Sequence, residues 1–311
     1  MSGVIRKAFV LGAGLGTRLR PLTERRPKPL IPVANRPLIT YAFDHLLGSG
    51  VEALIVNTHW RAEAYHWFFP DSSYHGASLV FREERPEILE TAGGIWNVRD
   101  LIGEEPFLVY NGDILCDLPL GPAIREHFSR GNEVTLILRS QGGPLQVAFN
   151  PETGRLTDIG GRVESSASPR FLFTGIYVVN PGFIRRIPPG EKVSVIPIFC
   201  DMIREGAPAG GIVIDDGQWR DLGARGQYLG AHAALALAGR APWIDPSAQV
   251  SPTAKIRGAT AIGPGARVGD HASLCDTIVW EGAEIASGTM LNHCIVTDGQ
   301  LVEGIHSHTD F

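Results

Sequence analysis

Residues 8–31 read AFVLGAGLGTRLRPLTERRPKPLI, the densest run of potential chemistry in the chain. A short apolar stretch ends in Gly12, Gly14 and Gly16. Glycines let the backbone turn sharply and leave N–H groups uncovered, which suits phosphate oxygens. Arg18 and Lys28 bring two cations to the same mouth, as a polyphosphate requires. The whole protein carries 28 Lys and Arg against 33 Asp and Glu, a net charge of −5. An anion site must therefore be built locally, and the balance argues against a general nucleic-acid coat. The loop is not a dinucleotide fingerprint, because Thr17 stands where GxGxxG needs its last glycine. It is not a Walker A loop either, because no GK[ST] closes it. A plain structural turn accounts less well for three glycines, Arg18 and the Pro27-Lys28-Pro29 clip together.

Two aspartates complete the chemistry. Asn111-Gly112-Asp113 follows the apolar run Phe107–Tyr110, and Trp219-Arg220-Asp221-Leu222-Gly223 lies about a hundred residues later. Each alone reads as a turn aspartate. Beside a phosphate loop the pair fits Mg²⁺, which takes one or two carboxylates plus phosphate oxygens and waters.

These residues need a scaffold. The chain has 311 residues, 44% hydrophobic and 20% charged, enough for one large domain and a smaller one. Strands are expected at Ala8–Leu11, Ala53–Asn57, Ser78–Arg82, Phe107–Tyr110, Val134–Leu138, Leu172–Val179 and Ile212–Ile214. Helical stretches lie between them, the clearest being Leu38–Leu47 with Gly48 as its stop. This alternation predicts an α/β domain over residues 1–240. Its sheet is Rossmann-like and mainly parallel, with helices on both faces and ligands at the carboxyl ends of the strands.

After Arg240 the period changes. Ile244, Val250, Ile256, Ile262, Val268 and Leu274 fall six residues apart, each of the first five followed four residues on by a small residue, Ala248, Ala254, Thr260, Ala266 and Ala272. A period of six fits a β-solenoid with the aliphatic pointing inward and the small residue at the corner. One slip follows Leu274, and the phase resumes at Val279, Ile285 and Leu291. Residues 241–311 should form three to four coils, and the pattern resembles the left-handed β-helix of hexapeptide-repeat proteins.

GAGLGTRLRPLT followed by PKPLIPVANRPLI resembles the signature of the sugar-1-phosphate nucleotidyltransferases, the nucleoside-diphosphate-sugar pyrophosphorylases, over roughly residues 5–235. The resemblance implies an Mg²⁺-dependent enzyme that joins a nucleoside triphosphate to a sugar 1-phosphate and releases pyrophosphate; a cytoplasmic setting is expected because the apolar run Ala8–Leu11 is too short for a signal segment. It implies nucleotide contacts at Leu11, Gly12, Ala13, Gly14, Gly16, Thr17 and Arg18, with Arg18 on the leaving phosphates. Lys28 would neutralise the α-phosphate region, and Asp113 and Asp221 would hold the metal. Arg18, Lys28 and Asp113 are the expected catalytic residues. Residues 88–95, ILETAGGI, resemble the family's LGTAG-type loop, which assigns Thr91, Ala92 and Gly93 to the base and ribose, with Glu83 as a rim contact. Glu90 departs from the pattern, since many members carry glycine there. The sugar is assigned to Asn111, Gly112, Thr174 and Gly175. The E-K-P lysine that many members use for the sugar phosphate has no counterpart in Val163–Arg170; Arg162 or Arg170 could stand in for it, but each reads first as a solvated arginine.

The LET form looks most like muramate-type uridylyltransferases, whereas the solenoid tail looks like mannose-1-phosphate guanylyltransferases, so base and sugar stay open. Two other classes compete: a non-catalytic regulatory or scaffold relative, and a hexapeptide-repeat acyltransferase using His271. The scaffold is disfavoured because Arg18, Lys28, Asp113 and Asp221 are all present. His59-Trp60 and Trp67-Phe68-Phe69 read as packing, and His306 and His308 as a solvated tail. The four cysteines form no CxxC pair and read as free thiols in a reducing compartment. No membrane segment and no nucleic-acid polymer partner are expected. The exposed end of a short solenoid implies homo-oligomerisation through residues 242–305.

Overall fold

The computed structural model describes residues 3–163, 168–239 and 241–311. The chain divides into two compact units. Met1–Leu15, Arg26–Pro29 and Ile39–Arg220 make the first, and Gly16–Arg25, Leu30–Leu38 and Asp221–Phe311 the second.

The first unit is built on a ten-stranded sheet. Its strands are β1 (Lys7–Leu11), β2 (Ala53–Thr58), β3 (Ser73–Tyr74), β4 (Ala77–Glu83), β5 (Phe107–Asn111), β6 (Val134–Arg139), β7 (Val147–Asn150), β8 (Arg155–Ile159), β9 (Arg170–Val179) and β10 (Ala209–Val213). They lie in the order β7-β8-β10-β6-β9-β5-β1-β2-β4-β3. The block β4-β2-β1-β5 is parallel throughout, with Leu11 opposite both Asn57 and Asn111. That register places the carboxyl ends of three strands side by side, where open α/β sheets take their ligands. The expected strands are all present. The hairpin β7–β8 and the short edge strand β3 were not foreseen.

The sheet is mixed: β9 runs antiparallel to both neighbours, β5 and β6, as do β8 to β7 and β10, and β3 to β4, while β6 and β10 are parallel. β9 also carries a bulge between Phe173 and Tyr177, a device that re-aims a strand beside a site.

Alternating strand residues feed the two faces. Phe9, Ile55, Phe107, Val109, Leu136, Leu138 and Tyr177 join one core with Ile95, Phe199 and Met202 from the helices Glu90–Asn97 and Val195–Arg204. Val195, Ile198, Phe199 and Met202 recur at the helical period, and the Ser194 hydroxyl caps that helix by accepting from the Ile196 N–H. The helix Ile39–Gly48 buries Ile39, Ala42, Phe43 and Leu46 in the same way. Each such side chain contributes about 1.5–3 kcal/mol by leaving water.

In the second unit, three four-stranded parallel sheets form the β-helix, one strand per face per coil. Ile244, Ile262, Val279 and Val296 stack on one face and Val250, Val268, Ile285 and Val302 on the next. Ile256, Leu274, Leu291 and His306 stack on the third. Four coils result. The corner residues Thr260, Ala266 and Ala272 are fully buried. His306 is therefore half-buried in a strand and not part of a free tail. It takes the inward position of the last coil, edge-on to the Phe311 ring at 4.9 Å. His308 is exposed and stacks on His293 at 5.0 Å.

The helix Arg225–Leu237 anchors to this unit through Tyr228, whose hydroxyl accepts from Trp280 Nε1 at 3.1 Å. Asn35, at the tip of the hairpin Pro32–Pro37, donates to the carbonyl of Ile262 at 2.8 Å. No helix among the described residues is long and apolar enough to cross a membrane. The four cysteines are free, three of them buried.

Candidate active site

β1 is buried at Ala8, Phe9 and Val10 and delivers Gly12 to the carboxyl edge of the sheet. The Gly12 N–H donates to Asn57 Oδ1 at 2.8 Å, and its carbonyl accepts from the Tyr65 hydroxyl at 2.9 Å. A Cβ at Gly12 would lie 2.7 Å from the Asn57 carbonyl, so only glycine fits. Two residues on, nothing lies within 4 Å of the Cβ direction of Gly14. That face of the loop is open to an incoming ligand, while Ala13 is buried and Leu11 half-buried.

Beyond Leu15 the loop enters the second unit. Gly16 takes φ 61° and starts the short 3-10 turn Thr17–Leu19, and its carbonyl accepts from the Thr23 hydroxyl at 2.8 Å. Arg18 Nη2 lies 3.6 Å from Asp221 Oδ2, with the arginine side chain 71% exposed. Gly223 sits against both groups. An exposed pair at this distance contributes little to stability, which leaves the guanidinium available to an anion.

In the first unit Lys28 meets Asp113. Its Nζ lies 2.8 Å from Asp113 Oδ2, the lysine side chain being 5% exposed and the aspartate 36%. The pair is part-buried, with the lysine enclosed and the carboxylate as its open side. Asp113 reaches this place because β5 ends at Asn111 beside Leu11, and the Gly112 N–H donates to the Leu11 carbonyl at 3.0 Å. A Cβ at Gly112 would fall 2.8 Å from that carbonyl. Gly175, in the β9 bulge with φ +79°, packs on Asn111, whose Nδ2 would be 2.3 Å from a Cβ there. Two of the residues assigned to the sugar are thus neighbours. Thr174 is buried, and its hydroxyl donates to the Ile137 carbonyl at 2.8 Å, so its side chain shapes the bulge.

Thr91, Ala92 and Gly93 open the helix Glu90–Asn97. The Ala92 and Gly93 N–H groups donate to the Val193 carbonyl at 2.9 and 3.1 Å, and Thr91 Oγ1 accepts from the Val195 N–H at 2.8 Å. A Cβ at Gly93 would fall 2.4 Å from the Glu191 carbonyl. Glu90 takes φ 60°, a conformation that favours glycine, which is the physical reason its departure from the LGTAG pattern is notable. Glu83 pairs with Arg85 at 2.8 Å on the surface.

Two residues escaped the sequence reading. Asn57 and Glu84 are buried, and Asn57 Nδ2 donates to Glu84 Oε1 at 2.7 Å. Burial pushes the Glu84 carboxyl upward from its ordinary pKa, although the Leu89 N–H and Asn57 both favour its charged form. Their signal was a polar residue at or just past the carboxyl end of an apolar strand.

Arg170 does not present a free cation to a sugar phosphate. It binds the buried Asp158 carboxylate at 2.8 Å and the Gln146 carbonyl at 3.1 Å. The stretch 164–167 lies outside the described residues. Asp113 belongs to the first unit and Asp221 to the second.

Comparison with known proteins places the chain in a family. Residues 7–237 match the family described as nucleotidyl transferase. The chain is 31% identical over 299 residues to a mannose-1-phosphate guanylyltransferase of Mycobacterium tuberculosis, covering 91% of this chain and 82% of that one. It is 31% identical over 219 residues to an N-acetylmuramate alpha-1-phosphate uridylyltransferase of Neisseria meningitidis, covering 70% of this chain and 93% of that one. Mannose-1-phosphate guanylyltransferase 1 of Arabidopsis thaliana is 27% identical over 314 residues, covering 94% and 81%. With a phosphate-type glycine loop, a buried lysine on an aspartate and a family match over most of its length, this chain belongs to the nucleotidyl transferase family of enzymes.

Proposed function

We propose that the protein transfers a nucleotidyl group from a nucleoside triphosphate to a sugar 1-phosphate, giving a nucleotide sugar and pyrophosphate. The observation that carries this reading is the Lys28–Asp113 pair at 2.8 Å, beside a glycine loop whose Gly14 face is open. A sugar-phosphate oxygen attacks the α-phosphorus in line, and pyrophosphate leaves. No covalent intermediate with the protein is needed, so the rate comes from positioning and charge neutralisation. Lys28 stands for the α-phosphate charge and Arg18 for the leaving phosphates. The Gly12–Gly14 backbone orients the triphosphate, and Asn111 with Gly175 receives the sugar.

Asp113 and Asp221 are the residues that would hold Mg²⁺. Their hard, partly exposed carboxylate oxygens suit it, the rest of its shell coming from phosphate oxygens and water. When bound, the ion supplies neutralisation of the phosphate charge.

The substrate is read as mannose 1-phosphate with a guanine nucleotide, because the match to the guanylyltransferase of M. tuberculosis extends over 91% of this chain. A second reading, uridylyl transfer to an N-acetylmuramate 1-phosphate, is favoured by the match to the N. meningitidis relative and by Glu90 in the LET form. Residues 1–240 are assigned as the catalytic domain and 241–311 as the β-helix, through which copies of the chain associate. The four free cysteines favour a cytoplasmic setting.

The test incubates the protein with Mg²⁺, each common nucleoside triphosphate and a panel of sugar 1-phosphates, and measures pyrophosphate. Release with GTP and mannose 1-phosphate is expected. No release with any pair would leave the scaffold reading standing, and consumption of acetyl-coenzyme A would favour acyl transfer. A monomeric mass in solution well above micromolar concentration would remove the association.

A further inference from the structure

We propose that Asn57 and Glu84 form a buried bridge that fixes the glycine loop and the base-side loop in a single arrangement, and that they are thereby positioning residues for the nucleoside triphosphate. The inference rests on the nucleotidyl-transfer reading above. At one end, the Gly12 N–H donates to Asn57 Oδ1 at 2.8 Å. In the middle, Asn57 Nδ2 donates to Glu84 Oε1 at 2.7 Å. At the other end, Glu84 Oε2 accepts from the Leu89 N–H at 2.7 Å. Leu89 immediately precedes the helix that begins with Glu90 and carries Thr91, Ala92 and Gly93. Three hydrogen bonds thus connect two backbone amides that lie 77 residues apart, one in each loop assigned to the nucleotide.

The bridge is buried and tightly packed. Asn57 is 2% exposed and Glu84 fully buried. Among the described residues no lysine or arginine forms an ion pair with Glu84, so its carboxylate is held by N–H donors. A Cβ at Gly94 would fall 3.0 Å from both Asn57 Nδ2 and Glu84 Oε1, so the helix presents glycine where it crosses the bridge. An apolar pair of similar volume would leave the Gly12 and Leu89 amides buried without acceptors, a costly state. The carboxylate spans the gap because each oxygen takes one donor, which ties the separation of the loops to the width of one carboxyl group.

The polarity of the bridge makes it testable by exchange. Asn57→Asp places two carboxylates face to face, and Glu84→Gln opposes two amide donors. In the Asn57→Asp/Glu84→Gln double variant, the glutamine amide donates to the new aspartate and its carbonyl oxygen accepts from Leu89, so every bond is restored at the same net charge. Each single variant is expected to raise KM for the nucleoside triphosphate by about tenfold to a hundredfold, the usual effect of an unsatisfied buried partner. KM for the sugar 1-phosphate and kcat should stay within about threefold, and the double variant should recover the wild-type KM to within the same factor, since its bonds are remade. Hydrogen exchange supplies a readout independent of turnover. The Gly12 and Leu89 amides should be protected in the wild type, and at least one of them released in Glu84→Gln, whose single carbonyl oxygen replaces two acceptors.

Single variants with unchanged KM overturn the bridge, as does a folded double variant that fails to recover. If a single variant does not fold, the double variant decides: folded with wild-type KM supports the bridge, unfolded or weakly binding overturns it. If the wild type releases pyrophosphate with no substrate pair, the transfer reading fails. The exchange result then judges the bridge by itself, and full protection of both amides in Glu84→Gln overturns it.

Discussion

In the β-helix, the residue one coil away accounts for each inward side chain. Ile262 lies between Ile244 and Val279, and Val268 between Val250 and Ile285. In the α/β unit the partners of a residue come from distant segments. Lys28 meets Asp113, Asn111 meets Gly175, and Gly12 meets Asn57. The first region repeats one local solution, so its stability is close to a sum over coils. The second spends its irregularities, the β9 bulge at Gly175 and the φ of 60° at Glu90, on placing polar groups. Regular stacking shapes stability, and the proposed chemistry draws on the irregular segments.

The largest effect expected from this contrast is on turnover. Asp113→Asn and Arg18→Ala should each reduce kcat by about 10²–10³ or more, as loss of a positioned electrostatic contact does. The far-UV circular dichroism should be unchanged. Near-normal pyrophosphate release from either would break the role proposed for that residue.

Leu274→Ala, in the third stack of the β-helix, should cost about 2–5 kcal/mol of stability by leaving a cavity. Denaturant unfolding reads the loss, and KM for both substrates should hold. A folded Leu274→Ala protein with altered KM would mean that the repeat region does take part in the chemistry.

His232 supplies a pH test. Its ring is fully buried, and Nε2 accepts from the Ala34 N–H at 3.1 Å while Nδ1 faces the Tyr228 carbonyl at 3.0 Å. Burial lowers its pKa from 6.5 to about 4. The folded state thus holds fewer protons than the unfolded chain in this window. The corresponding stability is present above pH 6.5 and is lost as pH falls toward 4, about 3 kcal/mol in all. Burial also lowers the pKa of His45 and His127, in the same direction. His232→Gln should flatten the fall in unfolding free energy between pH 7 and pH 4. An unchanged slope would place the acid sensitivity elsewhere.

The smallest effect sharpens the sugar side. Gly175→Ala forces a side chain into φ +79° and against Asn111 Nδ2. KM for the sugar 1-phosphate should rise by about tenfold, consistent with the usual cost of a strained left-handed residue plus a shifted neighbour. KM for the nucleotide should not move, and equal shifts in both would deny Asn111 and Gly175 a separate role.

The hexads were readable because one period dictates one geometry. Ile244 to Leu274 alternate with small corner residues, and the slip after Leu274 appears as a 17-residue step from Ile262 to Val279. The helix Ile39–Gly48 was readable for the same reason. The hairpin β7–β8 was missed because Val147–Asn150 and Arg155–Ile159 are short and interrupted by polar residues, and pairing with distant strands decides their state. His306 was misjudged because its polarity suggested water, whereas its register on Leu291 turns it inward onto Phe311.

Residue order was enough to reveal the glycine loop and the solenoid, and to nominate Arg18, Lys28, Asp113 and Asp221 for the proposed chemistry. All of these are local in sequence or periodic, so backbone propensity and spacing express them directly. It could not reveal that Lys28 is buried on Asp113, that Arg170 is committed to Asp158, or that Asn57 and Glu84 join two loops. Those facts depend on which strands become neighbours and which charges lose their water, and only the folded packing of distant segments settles either.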